Sequence, residues 1–142
     1  MRLEPAFRVA LYAAFAILFV TGAGWLLADD LAAATKDAAS GEAWQITTAY
    51  LLSLHGGASM ATLLLLGALV PLHILRGWRM GRNRITGTTM VTFNAVLILT
   101  AFGLYYLGSE MLRPWASRLH IGVGVVLPIL FLVHVIVGRR SS

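Results

Sequence analysis

Four long apolar runs limit what this chain can fold into. They cover about residues 7–28, 48–75, 88–107 and 117–138. Each run has roughly the twenty residues that an α-helix needs to cross the hydrocarbon core of a bilayer. Because these runs use most of the 142 residues, little chain is left for a separate soluble catalytic domain. The predicted fold is all-α: residues 1–142 form one domain, an integral membrane four-helix bundle.

Composition supports a membrane class and excludes several others. The chain is 58% hydrophobic and 12% charged, with a mean hydropathy of +0.80, far from an ordinary soluble domain. A net charge of +5 would suggest nucleic acid for a soluble protein. Here the basic residues flank apolar runs, so we expect membrane lipid and no nucleic acid as the partner. The absence of cysteine excludes disulfides, thiolate nucleophiles, iron–sulfur clusters and covalently attached haem.

Basic residues also predict the orientation. The N-terminus, the loop from Arg76 to Arg84 (which also contains Arg79 and Arg82) and the C-terminus hold eight of the eleven lysines and arginines. Cytoplasmic loops carry such an excess, so both termini are expected in the cytoplasm. We therefore expect a protein of the bacterial cytoplasmic (inner) membrane. The first run follows two arginines and could pass for a signal peptide, but its length favours a retained spanning helix.

All four histidines lie in two of the runs. His120 and His134 are 14 residues apart, so a regular helix places them on one face about 21 Å apart. His55 and His73 are 18 residues apart, which is five whole turns, or about 27 Å, again on one face. A titratable ring inside a membrane is costly and therefore requires a functional or a structural explanation.

The predicted topology pairs these histidines by depth. His55 and His120 lie near the outer surface, and His73 and His134 near the inner surface. Two facing imidazoles suit six-coordinate haem iron, whereas zinc requires three or four protein ligands and calcium or magnesium requires oxygens. No Asp or Glu lies within the four runs. The sequence thus predicts two non-covalent haem b groups with these histidines as metal ligands; the simpler alternative is interfacial or interhelical hydrogen bonding.

Small and basic residues lie beside the histidines. Gly56 and Gly57 follow the first histidine, and Gly122 and Gly124 follow the third. They would let a flat macrocycle approach the backbone, although small residues also serve ordinary helix packing in membranes. Arg118 is two residues from a predicted ligand, and we expect it to bind a haem propionate. The other arginines are explained by membrane orientation.

A short internal repeat divides the chain into two halves. Residues 21–24 (TGAG) resemble residues 100–103 (TAFG), and each motif precedes an outer loop and a helix with two histidines. Pro71 and Pro128 each follow a glycine by four residues, a combination that eases a local bend. The repeat predicts two tandem helix pairs, although short similarity between apolar helices also arises by chance.

The fourth run, with its H-x13-H spacing closed by GRR, resembles the ligand helix of di-haem membrane b-type cytochromes. These include the cytochrome b561 group and the cytochrome b subunits of respiratory dehydrogenases and hydrogenases. The resemblance implies electron transfer between quinone or quinol and an external redox protein or enzyme subunit. Two features depart from the pattern: the first helix has no histidine, and the second has the longer 18-residue spacing.

Three functions follow from these observations as alternatives. The first is transmembrane electron transfer through two bis-histidine haems, as a subunit of a quinone-linked oxidoreductase. The second is a histidine-lined metal-ion transporter, which usually uses acidic or thiolate ligands that this chain lacks. The third is a non-redox membrane anchor subunit. The sequence does not decide whether the chain catalyses a reaction of its own.

Overall fold

The protein is almost entirely helical. A computed structural model describes residues 4–81, 83–106 and 108–140, with only the backbone of Arg140. Its helices are α1 (Pro5–Ala34), α2 (Ala38–Leu69), α3 (Leu75–Arg79), α4 (Arg84–Tyr106) and α5 (Leu112–Arg140), and a π-helical segment, Val70–Ile74, joins α2 to α3. The described residues contain no strand, which confirms the all-α prediction. Arg82 and Leu107, the last residue of the predicted run 88–107, lie outside the described residues.

Four helical stretches are long and apolar enough to cross a membrane. Within the described residues they are Pro5–Ala34, Ala38–Arg79, Arg84–Tyr106 and Leu112–Arg139. This confirms the number of predicted spans, but their bounds were too short at most ends. The helices continue past the apolar runs because polar residues cap them outside the hydrocarbon: Asp37 accepts a hydrogen bond from the Ser40 backbone N–H at 2.9 Å, and Ser109 accepts one from Leu112 at 3.3 Å.

The chain forms two compact units. The first, residues 2–72, is a hairpin of α1 and α2, and the second begins at His73 and contains the hairpin of α4 and α5. Each unit thus contains one copy of the short repeat found in the sequence, which is consistent with two tandem helix pairs.

Burial in these hairpins is the reverse of burial in a soluble protein. Large apolar side chains are exposed, for example Leu64 at 79% and Ile85 at 85%, whereas the buried polar residues are Thr21, Thr62 and Thr100. A surface of this kind is stable only in an apolar solvent. Small and hydroxyl-bearing residues between the helices are typical of packing inside membranes.

The π-helical segment follows from Pro71. Proline has no N–H, so the carbonyl of Gly67 loses its regular hydrogen bond and accepts one from the N–H of Val70 instead. The π turn contains more residues than an α turn and rotates the following side chains about the axis. The prediction that His55 and His73 share a face assumed a regular α-helix between them. The helix is not regular at Val70–Ile74, so the spacing alone no longer supports that prediction. The bend predicted at Pro71 therefore takes the form of a π turn.

A tight turn connects α3 to α4. Gly81 and Asn83 have positive φ angles of 68° and 49°, the conformation that ends many helices. The Arg84 side chain donates to the carbonyl of Trp78 at 3.0 Å and lies over the indole ring, 5.6 Å from its centre. Arg84 therefore closes the end of α3, a structural role beyond orientation.

The cap of α2 gives a pH-dependent prediction. Hydrogen bonds from the backbone and side chain of Ser40 lower the pKa of Asp37 below its usual value. The stabilisation is therefore complete above the usual carboxyl range and is lost as the pH falls through the lowered pKa. We expect hydrogen-exchange protection of the Ser40 amide to fall on acidification and in Asp37→Ala at neutral pH. Asp37→Asn keeps an acceptor and should show no such pH dependence; full protection in Asp37→Ala would contradict the cap.

Candidate metal centre

Both histidines of α5 point toward α4. The His120 Nδ1 lies 2.9 Å from the Thr100 hydroxyl oxygen, and the His134 Nδ1 lies 3.0 Å from that of Thr86. The two threonines are 14 residues apart, as are the two histidines. In an antiparallel hairpin equal spacings bring the members of each pair to the same level. The prediction that His120 and His134 share a helix face is confirmed by these contacts.

The Thr100 contact fixes the protonation of its histidine. The hydroxyl proton of Thr100 is donated within α4, because its oxygen lies 2.7 Å from the carbonyl of Val96. The same oxygen can then only accept from the imidazole. When the imidazole donates to this oxygen, the proton of His120 is on Nδ1 and the lone pair is on Nε2.

The first unit repeats this arrangement. The Thr21 hydroxyl donates to the carbonyl of Ile17 at 2.7 Å, and its oxygen lies 3.0 Å from the His55 Nδ1. The carbonyl of Leu18 also lies 3.2 Å from that hydroxyl. By the same argument His55 is protonated on Nδ1 and has its lone pair on Nε2.

A glycine makes room for the His55 ring. A Cβ atom at Gly22 would lie 3.2 Å from Cε1 and 3.4 Å from Nδ1 of His55. These distances are shorter than normal contacts, so a larger residue would displace the imidazole from Thr21. The second residue of the TGAG motif thus has a steric role beside its threonine.

His73 differs from the other three histidines. It lies in the π-helical segment, and within the described residues its buried Nδ1 has no hydrogen-bond partner. Its ring lies beside that of His134, with centres 6.1 Å apart and planes at 86°. These two histidines, predicted to form one pair, are therefore neighbours in the second unit.

The distance between these ring centres can be compared with the distance expected for two ligands of one metal ion. A metal–imidazole bond is about 2 Å long and the ring centre lies roughly 1.2 Å beyond the nitrogen, so two rings on opposite sides of one ion have centres about 6.4 Å apart. The 6.1 Å between His73 and His134 is close to this value. His55 and His120 belong to different units, so their pairing stays a prediction.

Arg118, the predicted partner of a haem propionate, lies in the same cleft as Thr100. Arg118 is exposed, with its guanidinium 5.4 Å from the centre of the Trp115 ring. It lines a cleft of about 580 Å³ together with Trp115, Thr100 and Gly103. The cleft is otherwise apolar, so Arg118 brings a cation beside the threonine that holds His120. Its role toward a propionate stays a prediction.

The glycines after the histidines border open space. A Cβ atom at Gly57 or Gly122 would meet no atom within 4 Å among the described residues of its own unit, whereas at Gly124 it would meet Leu97 at 3.9 Å. Within each hairpin, close helix packing therefore does not explain Gly57 and Gly122. Space beside these glycines is compatible with a flat group near the histidines.

The sequence analysis did not connect the threonines with the histidines. Thr21 and Thr100 belong to the predicted repeat, Thr100 is also a candidate polar contact for a quinone, and Thr86 was not singled out. The sequence does contain a pattern that could have identified two of them, because Thr86 and Thr100 have the same 14-residue spacing as His120 and His134. Recognising it requires knowing that α4 and α5 are antiparallel neighbours.

Comparison with known proteins adds no family to this geometry. The chain matches no family model, no curated protein and no solved structure. Among the described residues, no group of three or more His, Cys, Asp or Glu side chains is placed to hold a metal ion. The site is therefore described by its histidines and their threonine partners, and the resemblance to di-haem cytochromes stays a prediction.

The π-helical segment makes a testable contribution to the site. In Pro71→Ala the new N–H can bond the Gly67 carbonyl, so we expect a regular helix and a rotated His73 ring. The magic-angle-spinning NMR cross-peak between the His73 and His134 rings should disappear. Pro128→Ala is the control, because Pro128 lies within the continuous helix α5, and it should keep the cross-peak. A cross-peak retained in Pro71→Ala would contradict this role.

Proposed function

We propose that this protein is an integral membrane electron carrier that binds two b-type haems between its histidines. One haem is held by His73 and His134, and the other by His55 and His120. The observation that supports the proposal is the His73–His134 ring pair, whose centres lie 6.1 Å apart; these two imidazoles would hold the iron of one haem. When bound, a haem supplies an iron that exchanges one electron.

The residues of the chain supply what such a group requires. Thr21 and Thr100 present their histidines with a lone pair on Nε2, the form that binds iron. The apolar helices exclude water from the site. Arg118 is proposed to hold a propionate, because a guanidinium binds a carboxylate by two parallel hydrogen bonds.

The orientation and the partners belong to the same proposal. Both termini lie in the cytoplasm of a bacterial cell. Electrons pass between the quinone pool and a redox protein or enzyme subunit at the membrane surface. The cleft beside Thr100 is apolar apart from its threonine and Arg118, so it offers a quinone ring a place one hydrogen bond away from His120.

The proposal predicts a coloured protein. Purified from cells with adequate haem supply and then reduced, it should show b-type absorbance with about two protohaems per chain, a stoichiometry that follows from two axial imidazoles per iron. Because the chain has no cysteine, acid acetone should extract all of the haem. A colourless protein, or one that carries metal ions without haem, would contradict the proposal.

Substitutions test which histidines act together. His73→Ala and His134→Ala should each remove the same haem, since each leaves one iron with a single protein ligand, and the second haem should keep its spectrum. His55→Ala and His120→Ala should form the other matching pair. The reduced-minus-oxidised spectrum and the haem content of each variant provide the measurement. If His55→Ala removed the same haem as His134→Ala, the proposed pairing would be wrong.

A further inference from the structure

We propose that Thr21 and Thr100 are positioning residues. Each holds the histidine of its own hairpin, His55 or His120, in the Nδ1–H tautomer and thereby tunes the affinity and potential of the haem that this histidine would bind. The inference rests on the proposed function.

The argument begins with the hydroxyl proton. Thr21 and Thr100 each have a backbone carbonyl of the preceding turn at 2.7 Å, and each has a second carbonyl slightly farther away, at 3.2 Å and 3.1 Å. The hydroxyl has one proton, and both carbonyls can only accept it. The oxygen that faces the imidazole is therefore an acceptor in both units.

The consequence for the ligand is chemical. An imidazole that donates its Nδ1–H to an acceptor becomes a more basic ligand through Nε2 and keeps a fixed ring orientation. The threonine oxygen is a better acceptor because its own proton is donated to a carbonyl, since successive hydrogen bonds polarise one another. A more basic ligand stabilises the ferric state, so these contacts lower the haem potential.

His73 and His134 lack this arrangement. The Thr86 hydroxyl has its carbonyl partner, that of Asn83, at 3.4 Å, and Thr86 contacts His134 at 3.0 Å. Because the distance to the Asn83 carbonyl is long, the hydroxyl proton of Thr86 can point either toward that carbonyl or toward the His134 ring. For His73 no hydrogen-bond partner of Nδ1 is found among the described residues. The argument from the donated hydroxyl proton therefore applies to His55 and His120 and not to His73 or His134.

The main experiment compares valine and serine substitutions in the haem-loaded protein. Thr21→Val and Thr100→Val keep the shape but remove the acceptor, whereas Thr21→Ser retains it. Thr89→Val is the matched control, because Thr89 donates to the carbonyl of Ile85 at 2.9 Å in the same helix as Thr100 and is not a partner of any histidine in the contacts described above. Redox titration and haem retention are measured for each.

Each valine variant should bind one of its two haems 10- to 100-fold more weakly. The potential of that same haem should rise, with the other haem unchanged. Thr21→Ser and Thr89→Val should match the parent protein. Valine variants with parental potentials and haem retention would overturn the inference.

A second measurement does not depend on haem. Nitrogen-15 NMR of the full chain labelled at histidine, in a membrane mimetic, reports which ring nitrogen carries the proton. We expect Nδ1–H for His55 and His120, and Nε2–H at either position would overturn the inference. A parent protein that binds no haem would refute the proposed function, and this spectrum would then show whether the threonines fix the tautomer.

Discussion

An imidazole inside a bilayer must satisfy two ring nitrogens in a solvent that offers neither donors nor acceptors. This constraint organises both helical hairpins. In each, a threonine on one helix accepts the Nδ1–H of a histidine on the next, and the threonine proton is in turn donated to its own helix. The lone pair of the ring is then on Nε2. The hairpins can therefore carry polar ligands without exposing unpaired polar atoms to lipid.

The spanning helices could largely be predicted from the sequence, whereas the threonines that contact the histidines could not. Long apolar runs predict spanning helices because the thickness of the bilayer sets their length. The face shared by His120 and His134 followed from helical period alone. The partners Thr86 and Thr100 did not, because a threonine in an apolar helix most often bonds its own backbone. Thr62, for example, does only that in the hydrogen bonds described for it, donating to Ala58 at 2.8 Å.

After α2 the regular helical period of 3.6 residues per turn is interrupted. The assumption of five whole turns between His55 and His73 ignored what Pro71 does to the backbone. A missing N–H can produce a kink, a break or a π turn, and the sequence does not distinguish between these outcomes. Here the chain forms a π turn over Val70–Ile74, and His73 lies within it. Such segments are frequent at functional sites, since they redirect one side chain while the helix continues.

The repeat also explains why His73 lacks the support that the other histidines have. Counting 14 residues from His55, as from His120 to His134, leads to Leu69, so His73 lies four residues, about one turn, beyond the equivalent position. The α1 residue equivalent to Thr86 is Phe7, which lies 14 residues before Thr21 and has no hydroxyl. The first half of the chain thus has a counterpart of the Thr100–His120 pair, namely Thr21–His55, but none of the Thr86–His134 pair. Two haem sites built from such unequal halves would differ in ligand basicity, and a difference in basicity is a difference in potential. A potential difference between two carriers gives electron transfer a preferred direction, so the departure from symmetry is itself a functional feature of the proposed electron path.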